Sequence, residues 1–320
     1  MKAEDLATIA QINKIIKEKR RFLVTSHIYP DGDAIGSVVG LSRALVLLGK
    51  EVYPYISDRI PDQFLKLPGA TEIKNKWEGI EADIAFVLDA SNLERIGDAY
   101  KVLPSTIVNI DHHPDNTFFG SINLVIPSSS STSEVIFNLV KDLSLDKDIA
   151  TVLYYGLISD TGGFMYNNTT KETFDIASKI VDVGILPGDI AMRLLYSIPY
   201  ELMCIYIDIL KEIKIDKESR LAWGFIPLEI MEDKIFQNNT SSLLDMILRI
   251  SEVDTIALVK EHKDKFRVSL RSKDADVGSI ARLLGGGGHR GAAAFDLPKS
   301  SKDIIIETIE KIKNLLGGRP

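Results

Sequence analysis

Cysteine is nearly absent from this chain: one thiol, Cys204, in 320 residues excludes an internal disulfide framework and points to a reducing, cytoplasmic compartment. It lies in the apolar run Leu202-Met-Cys-Ile-Tyr206, so a buried thiol is expected. No stretch approaches the ~18 uninterrupted apolar residues that span a bilayer, and Met1-Lys-Ala-Glu-Asp has no apolar leader core behind it, so a soluble protein is expected. Basic excess is missing too. With 38 Lys and Arg against 45 Asp and Glu the net charge is −7, which excludes a global field that holds long nucleic acid by counterion release. Any phosphate-bearing ligand must be bound locally. Internal repeats and disordered tracts are lacking. The serine run at 128–131 resembles low complexity, but Ser131-x-x-Glu134 is a capping-box pattern leading into Val135-Ile136-Phe137, and capping accounts for Ser131 and Ser133. The two tryptophans, Trp77 and Trp223, stand at element edges and read as packing residues.

What is present is alternation. After an amphipathic helix at 6–18, short apolar runs at 22–26, 52–56, 84–88 and 106–110 alternate with helical patterns such as 34–48. Such runs suit strands buried on both faces and joined by right-handed crossovers. The expected fold class is α/β, with an N-terminal doubly wound parallel sheet. Ligands bind such sheets at the carboxyl ends of the strands, where strand order switches. Helical periodicity follows at 134–143, 148–159, 171–183, 188–196 and 200–212; then strands at 221–226, 255–261 and 266–270 mix with helices at 241–250, 277–284 and 301–316. These imply a domain at 1–195, a linker helix at 196–213 and a smaller C-terminal α/β domain at 214–320.

Metal-grade ligands collect where elements end. His27-Ile-Tyr-Pro-Asp31-Gly-Asp33 leaves the first run, Asp89 closes the third, Asp111-His112-His113 closes the fourth, and Asp160 closes a long apolar stretch. Of five histidines, four (His27, His112, His113 and His289) fall in Asp- or Gly-dense turns, while His262 sits in the solvated-looking Glu261-His-Lys-Asp264. One aspartate alone would be a turn or an N-cap. Four in one cleft would repel or force protonation, and two divalent cations would cancel them. Mixed carboxylate and imidazole donors without cysteine point to Mn²⁺ over structural zinc. Two such ions roughly 4 Å apart can clamp a phosphoryl oxygen, the usual design for phosphoester hydrolysis. Arg95 either offsets this charge or pairs with Asp98.

His27-x-x-x-Asp31-x-Asp33, Asp89 within Val87-Leu-Asp-Ala-Ser91, Asp111-His112-His113, and Asp160 within Leu157-Ile-Ser-Asp-Thr161 resemble the four ordered motifs of the DHH phosphoesterase superfamily. That family includes RecJ-type nucleases, class II inorganic pyrophosphatases and nanoRNase/pAp phosphatases. The resemblance implies two Mn²⁺ ions per chain: one held by His27, Asp31 and Asp89, the other by Asp33, Asp89, His112 and Asp160. It implies that His113 faces the substrate phosphate, that Asp111 orients the neighbouring histidines, and that the chain forms a homodimer through the metal-binding domain.

The second signal is Gly285-Gly286-Gly287-Gly288-His289-Arg290-Gly291. Its glycines let a backbone approach a ligand closely, and its amides suit an anion; the spacing is neither a Walker A loop nor a dinucleotide fingerprint. Together with Val268-Ser-Leu-Arg271-Ser it resembles the recognition motifs of the DHH-associated C-terminal domain. That implies that Arg271 and His289 grip a terminal phosphate across an interdomain cleft, with Gly286, Gly287, Gly288 and Arg290 around it. The expected activity is Mn²⁺-dependent hydrolysis of short oligoribonucleotides and of 3′,5′-bisphosphorylated adenosine (pAp). The alternatives are a pApA phosphodiesterase, a class II-like pyrophosphatase and a non-catalytic nucleotide sensor.

Overall fold

The computed structural model describes residues 2–317 except 144, 196, 234, 237–239 and 302, and it divides into two units, Met1–Ser197 and Ile198–Pro320. In the first, α1 (Ala3–Glu18) is followed by β1 (Arg21–Thr25), α2 (Gly32–Leu47), β2 (Glu51–Pro54), β3 (Ile84–Leu88), β4 (Ile107–Asp111), β5 (Ile122–Val125), α3 (Thr132–Val140), α4 (Lys147–Asp160), α5 (Lys171–Asp182) and α6 (Pro187–Leu195). The five strands are all parallel, in the order β2-β1-β3-β4-β5. Both faces are covered, which is why these runs are continuously apolar. Phe22, Val24, Phe86, Leu88, Val108 and Ile110 join the main core with the helices, while Leu23, Ala85 and Val87 meet Tyr55, Ala90, Ile96 and Ala99 on the other side.

The crossovers differ from expectation. Only β1 to β2 passes through an α-helix; β2 to β3 uses 3₁₀ turns at Phe64–Lys66 and Ala70–Glu72, and β3 to β4 uses the 3₁₀ stretch Leu93–Val102. The strand β5 has a half-buried pattern with too few fully buried positions to signal a strand. Strand order reverses beside β1, so the loops leaving β1 and β3 diverge there and open the site.

The second unit contains α7 (Tyr200–Glu212), β6 (Lys214–Asp216), β7 (Leu221–Ile226), α8 (Leu228–Met231), α9 (Thr240–Leu248), β8 (Thr255–Glu261), β9 (Lys265–Ser272), α10 (Val277–Leu283), β10 (Gly287–His289), β11 (Ala292–Pro298) and α11 (Asp303–Gly317). Its sheet runs β10-β11-β9-β8-β7-β6, with β7 and β8 parallel and the other pairs antiparallel. The helix α7 belongs to this unit's core: Leu202, Tyr206 and Ile209 bury against Ala222, Ile226 and Ile256. Cys204 lies off that stripe and is exposed, against the expected buried thiol, because an apolar run does not say which face a helix hides. His262 is half-buried rather than on the surface, since its backbone closes the β8–β9 hairpin onto Lys265. Trp77 packs beside Tyr55 at 5.5 Å, and Trp223 lies under Lys214. The expected helix end at 196 and residue 302 of the last helix lie outside the described residues. Among the described residues no helix is long and apolar enough to cross a membrane.

Helices α2 and α4 pack at close range because glycine faces the contact. A Cβ at Gly36 would lie 2.5 Å from the Val152 carbonyl oxygen, which is backbone and has little room to yield. Gly36→Ala should therefore cost about 1–3 kcal/mol, read as a lower urea midpoint with an unchanged slope.

Candidate metal centre

Three strand ends and three helix ends build the site. Leaving β1, His27 is buried, and its Nδ1 lies 2.8 Å from the Ile28 carbonyl oxygen. A donated Nδ1–H leaves Nε2 as the atom facing Asp89 Oδ2 at 3.5 Å and Asp31 Oδ1 at 3.9 Å. Asp31 is the N-cap of α2, its Oδ1 accepting the Asp33 and Ala34 amides at 3.0 Å. His112, after β4, is held in the same way: Nδ1 is 3.3 Å from the Ser129 carbonyl oxygen, and Nε2 lies 3.2 Å from Asp160 Oδ2 and 3.7 Å from Asp89 Oδ1. Asp160 is the last residue of α4.

Asp33 is fully buried, and the start of α3 grips it. Its Oδ2 accepts the Thr132 amide at 2.6 Å and its Oδ1 the Ser133 amide at 2.8 Å. The Thr132 hydroxyl donates to Asp89 Oδ1 at 2.9 Å. Asp89 itself takes a left-handed backbone conformation, φ +54°, directly after β3. Its two oxygens therefore face different ligand sets, Oδ2 toward His27 and Oδ1 toward His112.

Charge explains the need for a cation. Burial, then the Asp89 charge, raises the Asp33 carboxyl well above its ordinary range. Burial and the charges of Asp33, Asp31, Asp89 and Asp111 do the same to Asp160. Burial would also raise Asp89, but its hydrogen bond to His27 and the charges of His113, His27 and His112 prevail and lower it. Ligand atoms lie within 4.8 Å of one another in the sets His27–Asp31–Asp89, Asp33–His112–Asp160 and Asp89–His112–His113. The first two are mixed oxygen and nitrogen donors that fit divalent first-row cations. In the third, the His113 atom near Asp89 is Nδ1, 3.7 Å away, and that atom is bound to Asp111 Oδ1 at 2.7 Å.

His113 is thus held by Asp111. Burial opposes a positive charge on it, but the Asp111 hydrogen bond and the charges of Asp89 and Asp111 push its pKa up to about 9. Asp111 Oδ2 accepts from Asn116 at 2.6 Å; Asn116 also donates to Asn109, and Asn109 donates to the Val87 carbonyl oxygen. Thr132, Asn109 and Asn116 carry the site's positioning without having stood out in the sequence. A lone Asn inside the apolar Ile107-Val-Asn-Ile110 was the available signal, since a buried amide needs partners. Ser131 does cap α3, but Glu134 does not complete a capping box: its carboxylate accepts from Ser130 Oγ at 2.7 Å and from Thr173 Oγ1 at 3.1 Å. Asp98 pairs with Lys101 at 2.6 Å, while the charge of Arg95 is felt at His113, where it opposes protonation.

The glycine-rich residues belong to the second unit. Gly287 to His289 form β10, a strand rather than an open turn, antiparallel to β11. A Cβ at Gly286 would lie 2.2 Å from the Ala294 carbonyl oxygen, and one at Gly288 would lie 2.6 Å from that of Ala292, so these glycines serve contact between strands. His289 and Arg271 both stand opposite Ala292, which puts them on one sheet face. Arg290 is exposed, and its guanidinium lies 3.4 Å from the Asp274 carbonyl oxygen.

Comparison with known proteins agrees with this geometry. The model of the DHH family, N-terminal domain, matches residues 21–157, and that of the DHHA1 domain matches residues 224–315. A probable bifunctional oligoribonuclease and PAP phosphatase of Streptococcus mutans is 30% identical over 316 residues, 94% of this chain and 96% of that one. A bifunctional oligoribonuclease and PAP phosphatase of Thermus thermophilus is 28% identical, over 96% of this chain and 92% of its own. The crystal structure of an exopolyphosphatase-related protein from Bacteroides fragilis superposes with a TM-score of 0.86 at 26% identity, covering 98% of each chain.

Two outcomes follow for this site. Thr132→Val leaves Asp89 Oδ1 without its hydroxyl donor and should weaken Mn²⁺ binding about 10- to 100-fold in calorimetry, with Thr132→Ser near wild type. The second concerns pH. Asp33, Asp160, His27 and His113 all have folded-state pKa values above their ordinary ones. Each therefore stabilises the metal-free fold below its ordinary value, and that stability is lost as pH rises through the folded value. Asp89 has the opposite sign, but its contribution is already complete above the ordinary aspartate range. The metal-free melting temperature should then fall as pH rises from 6.5 toward about 9, the His113 window, and the gain on adding Mn²⁺ should grow over the same interval. A flat or rising metal-free profile would contradict the charge balance described here.

Proposed function

The chain belongs to the DHH family and is a metal-dependent phosphoester hydrolase, and from that premise we propose that it is a Mn²⁺-dependent enzyme hydrolysing short oligoribonucleotides and pAp. The observation that carries the reading is Asp89, whose Oδ2 faces His27 and whose Oδ1 faces His112. His27, Asp31 and Asp89 would hold one ion, and Asp33, Asp89, His112 and Asp160 the other. When bound, such ions supply Lewis acidity toward a phosphoryl oxygen and make a water more acidic.

The chain's own groups supply the rest. Asp111 holds His113 through Nδ1, so a protonated His113 offers Nε2–H to an anionic phosphoryl oxygen as charge develops, and can pass that proton to the leaving oxygen. Arg271, a planar permanent cation, and His289 on the same sheet face would grip a second phosphate, with Arg290 and the glycines Gly286, Gly287 and Gly288 beside them. The names of the relatives support oligoribonucleotide and PAP substrates, and the net charge of −7 favours small ones. A cytoplasmic homodimer completes the proposal. A pApA phosphodiesterase is the nearest rival, because pApA carries the same chemistry.

Hydrolysis of ApA, pApA, pAp and pyrophosphate with Mn²⁺ separates the readings. Dinucleotides and pAp should turn over, pyrophosphate should not, and Asp89→Ala should lower kcat at least about 10³-fold. Binding without turnover of any nucleotide would make the protein a sensor, and cleavage of long single-stranded DNA alone would sink the assignment.

A further inference from the structure

Backbone strain collects around the metal centre. Among the described residues, Tyr29, Asp89, Phe118, Phe164 and Arg220 are the non-glycine residues with left-handed backbone. Asp89 belongs to the metal centre, Phe164 stacks on Phe174 at 5.2 Å, and Arg220 pairs with Asp254. The amide of Phe118 donates to Asn116, within the network that holds Asp111. Tyr29, at φ +55°, lies two residues from His27 and two from Asp31. It also precedes the buried Pro30, and a residue before proline favours extended backbone. Other groups hold this turn: the Ile28 amide donates to the Arg95 carbonyl oxygen at 2.8 Å, and the Tyr29 amide to Asp58 Oδ2 at 3.0 Å. Asparagine or glycine would take the conformation more readily than tyrosine. The ring itself stands outside the core. Tyr29 is 73% exposed, and among the described residues its side chain has no hydrogen bond or ring partner.

A bulky aromatic residue kept in a costly conformation, outside the core and between two metal-site residues, is placed for a ligand. We propose that the Tyr29 ring is the platform on which the nucleobase attached to the reacting phosphate stacks. This rests on the reading that the metal centre hydrolyses short phosphorylated nucleotides. With two residues to each side, the Tyr29 Cα stays within about 7 Å of the Cα atoms of His27 and Asp31. A base joined through a single sugar to a phosphate held at those residues comes to rest beside them. Every base offers a flat π face, and an aromatic side chain binds it with little regard to its identity. Tyrosine does so at low entropic cost, since it has only two side-chain torsions, and its backbone here is already fixed by Asp58 and, through Ile28, by Arg95. The whole platform belongs to the first unit.

The test sets pAp against the same ribose bisphosphate without adenine, on full-length Mn²⁺-loaded protein. Tyr29→Asn removes the ring and suits the left-handed turn. It should raise KM for pAp about tenfold, leave kcat for pAp within about twofold, and keep or raise the melting temperature. Affinity for the abasic compound, read as KM or as Ki against pAp, should stay within about twofold of wild type. Tyr29→Phe and Tyr29→Trp should hold pAp near wild type, because both keep a ring. An unchanged KM for pAp, an equal loss for both compounds, a lower melting temperature or a shift of oligomeric state in sedimentation overturns the platform. Should wild type hydrolyse neither compound, the proposed function fails instead. Calorimetry of pAp with wild type and Tyr29→Asn then decides: about tenfold weaker binding by the variant supports the platform, and equal binding or none overturns it.

Discussion

The first turn of α3 is the constraint on which the rest of the metal centre depends. Its two free amides pin both oxygens of Asp33, and the hydroxyl of Thr132 pins one oxygen of Asp89. Amide bonds to a carboxylate are among the stronger hydrogen bonds, and a helix start favours negative charge. One turn thus fixes ligands that arrive from β3 and from the start of α2. It also reaches α4: a Cβ at Gly156 would lie 2.0 Å from Ser133 Oγ, so glycine there lets the helix that ends at Asp160 pass close by. Three ligand-bearing segments meet at a fixed distance because one helix start and one missing methyl allow it.

A second arrangement turns the neighbouring histidines to different uses. His27 and His112 both direct Nδ1 at a backbone carbonyl and Nε2 at carboxylates. His113 has Nδ1 engaged by Asp111, which is itself held by Asn116. Adjacent residues of one loop therefore turn Nε2 toward carboxylates in one case and Nδ1 toward Asp111 in the other. The cost is borne locally, in the left-handed backbone of Asp89 and in the burial of Asp111 and Asn109.

The parallel sheet was legible in the sequence because both faces are covered, and strands buried on both sides leave unbroken apolar runs. The acidic and imidazole residues were legible because they fall where those runs stop. Thr132 was not: a threonine beside serines at a helix start looks like capping, and only the long-range approach of Asp33 and Asp89 gives it another task. The glycines at 286 and 288 suggested room for a ligand, yet the space a side chain would take is filled by β11, a partner visible only once the strands pair. Cys204 failed for a related reason, since composition names the apolar residues of a helix but three-dimensional packing chooses among them.

Net charge hides the local electrostatics. The sum of −7 contains a first unit in which burial and neighbouring carboxylates raise Asp33 and Asp160 above their ordinary pKa values, and a sheet face in the second unit in which burial and the charges of Arg267 and Arg271 outweigh Asp296 and push Lys260 down. These opposite frustrations are local, set by burial, and little affected by distant surface charge, because screening over about 8–10 Å of electrolyte separates them from it. A polymer binder gains affinity with each added phosphate along an extended basic surface. A protein with acidic overall charge and a few buried cations gains only from phosphates that reach those cations.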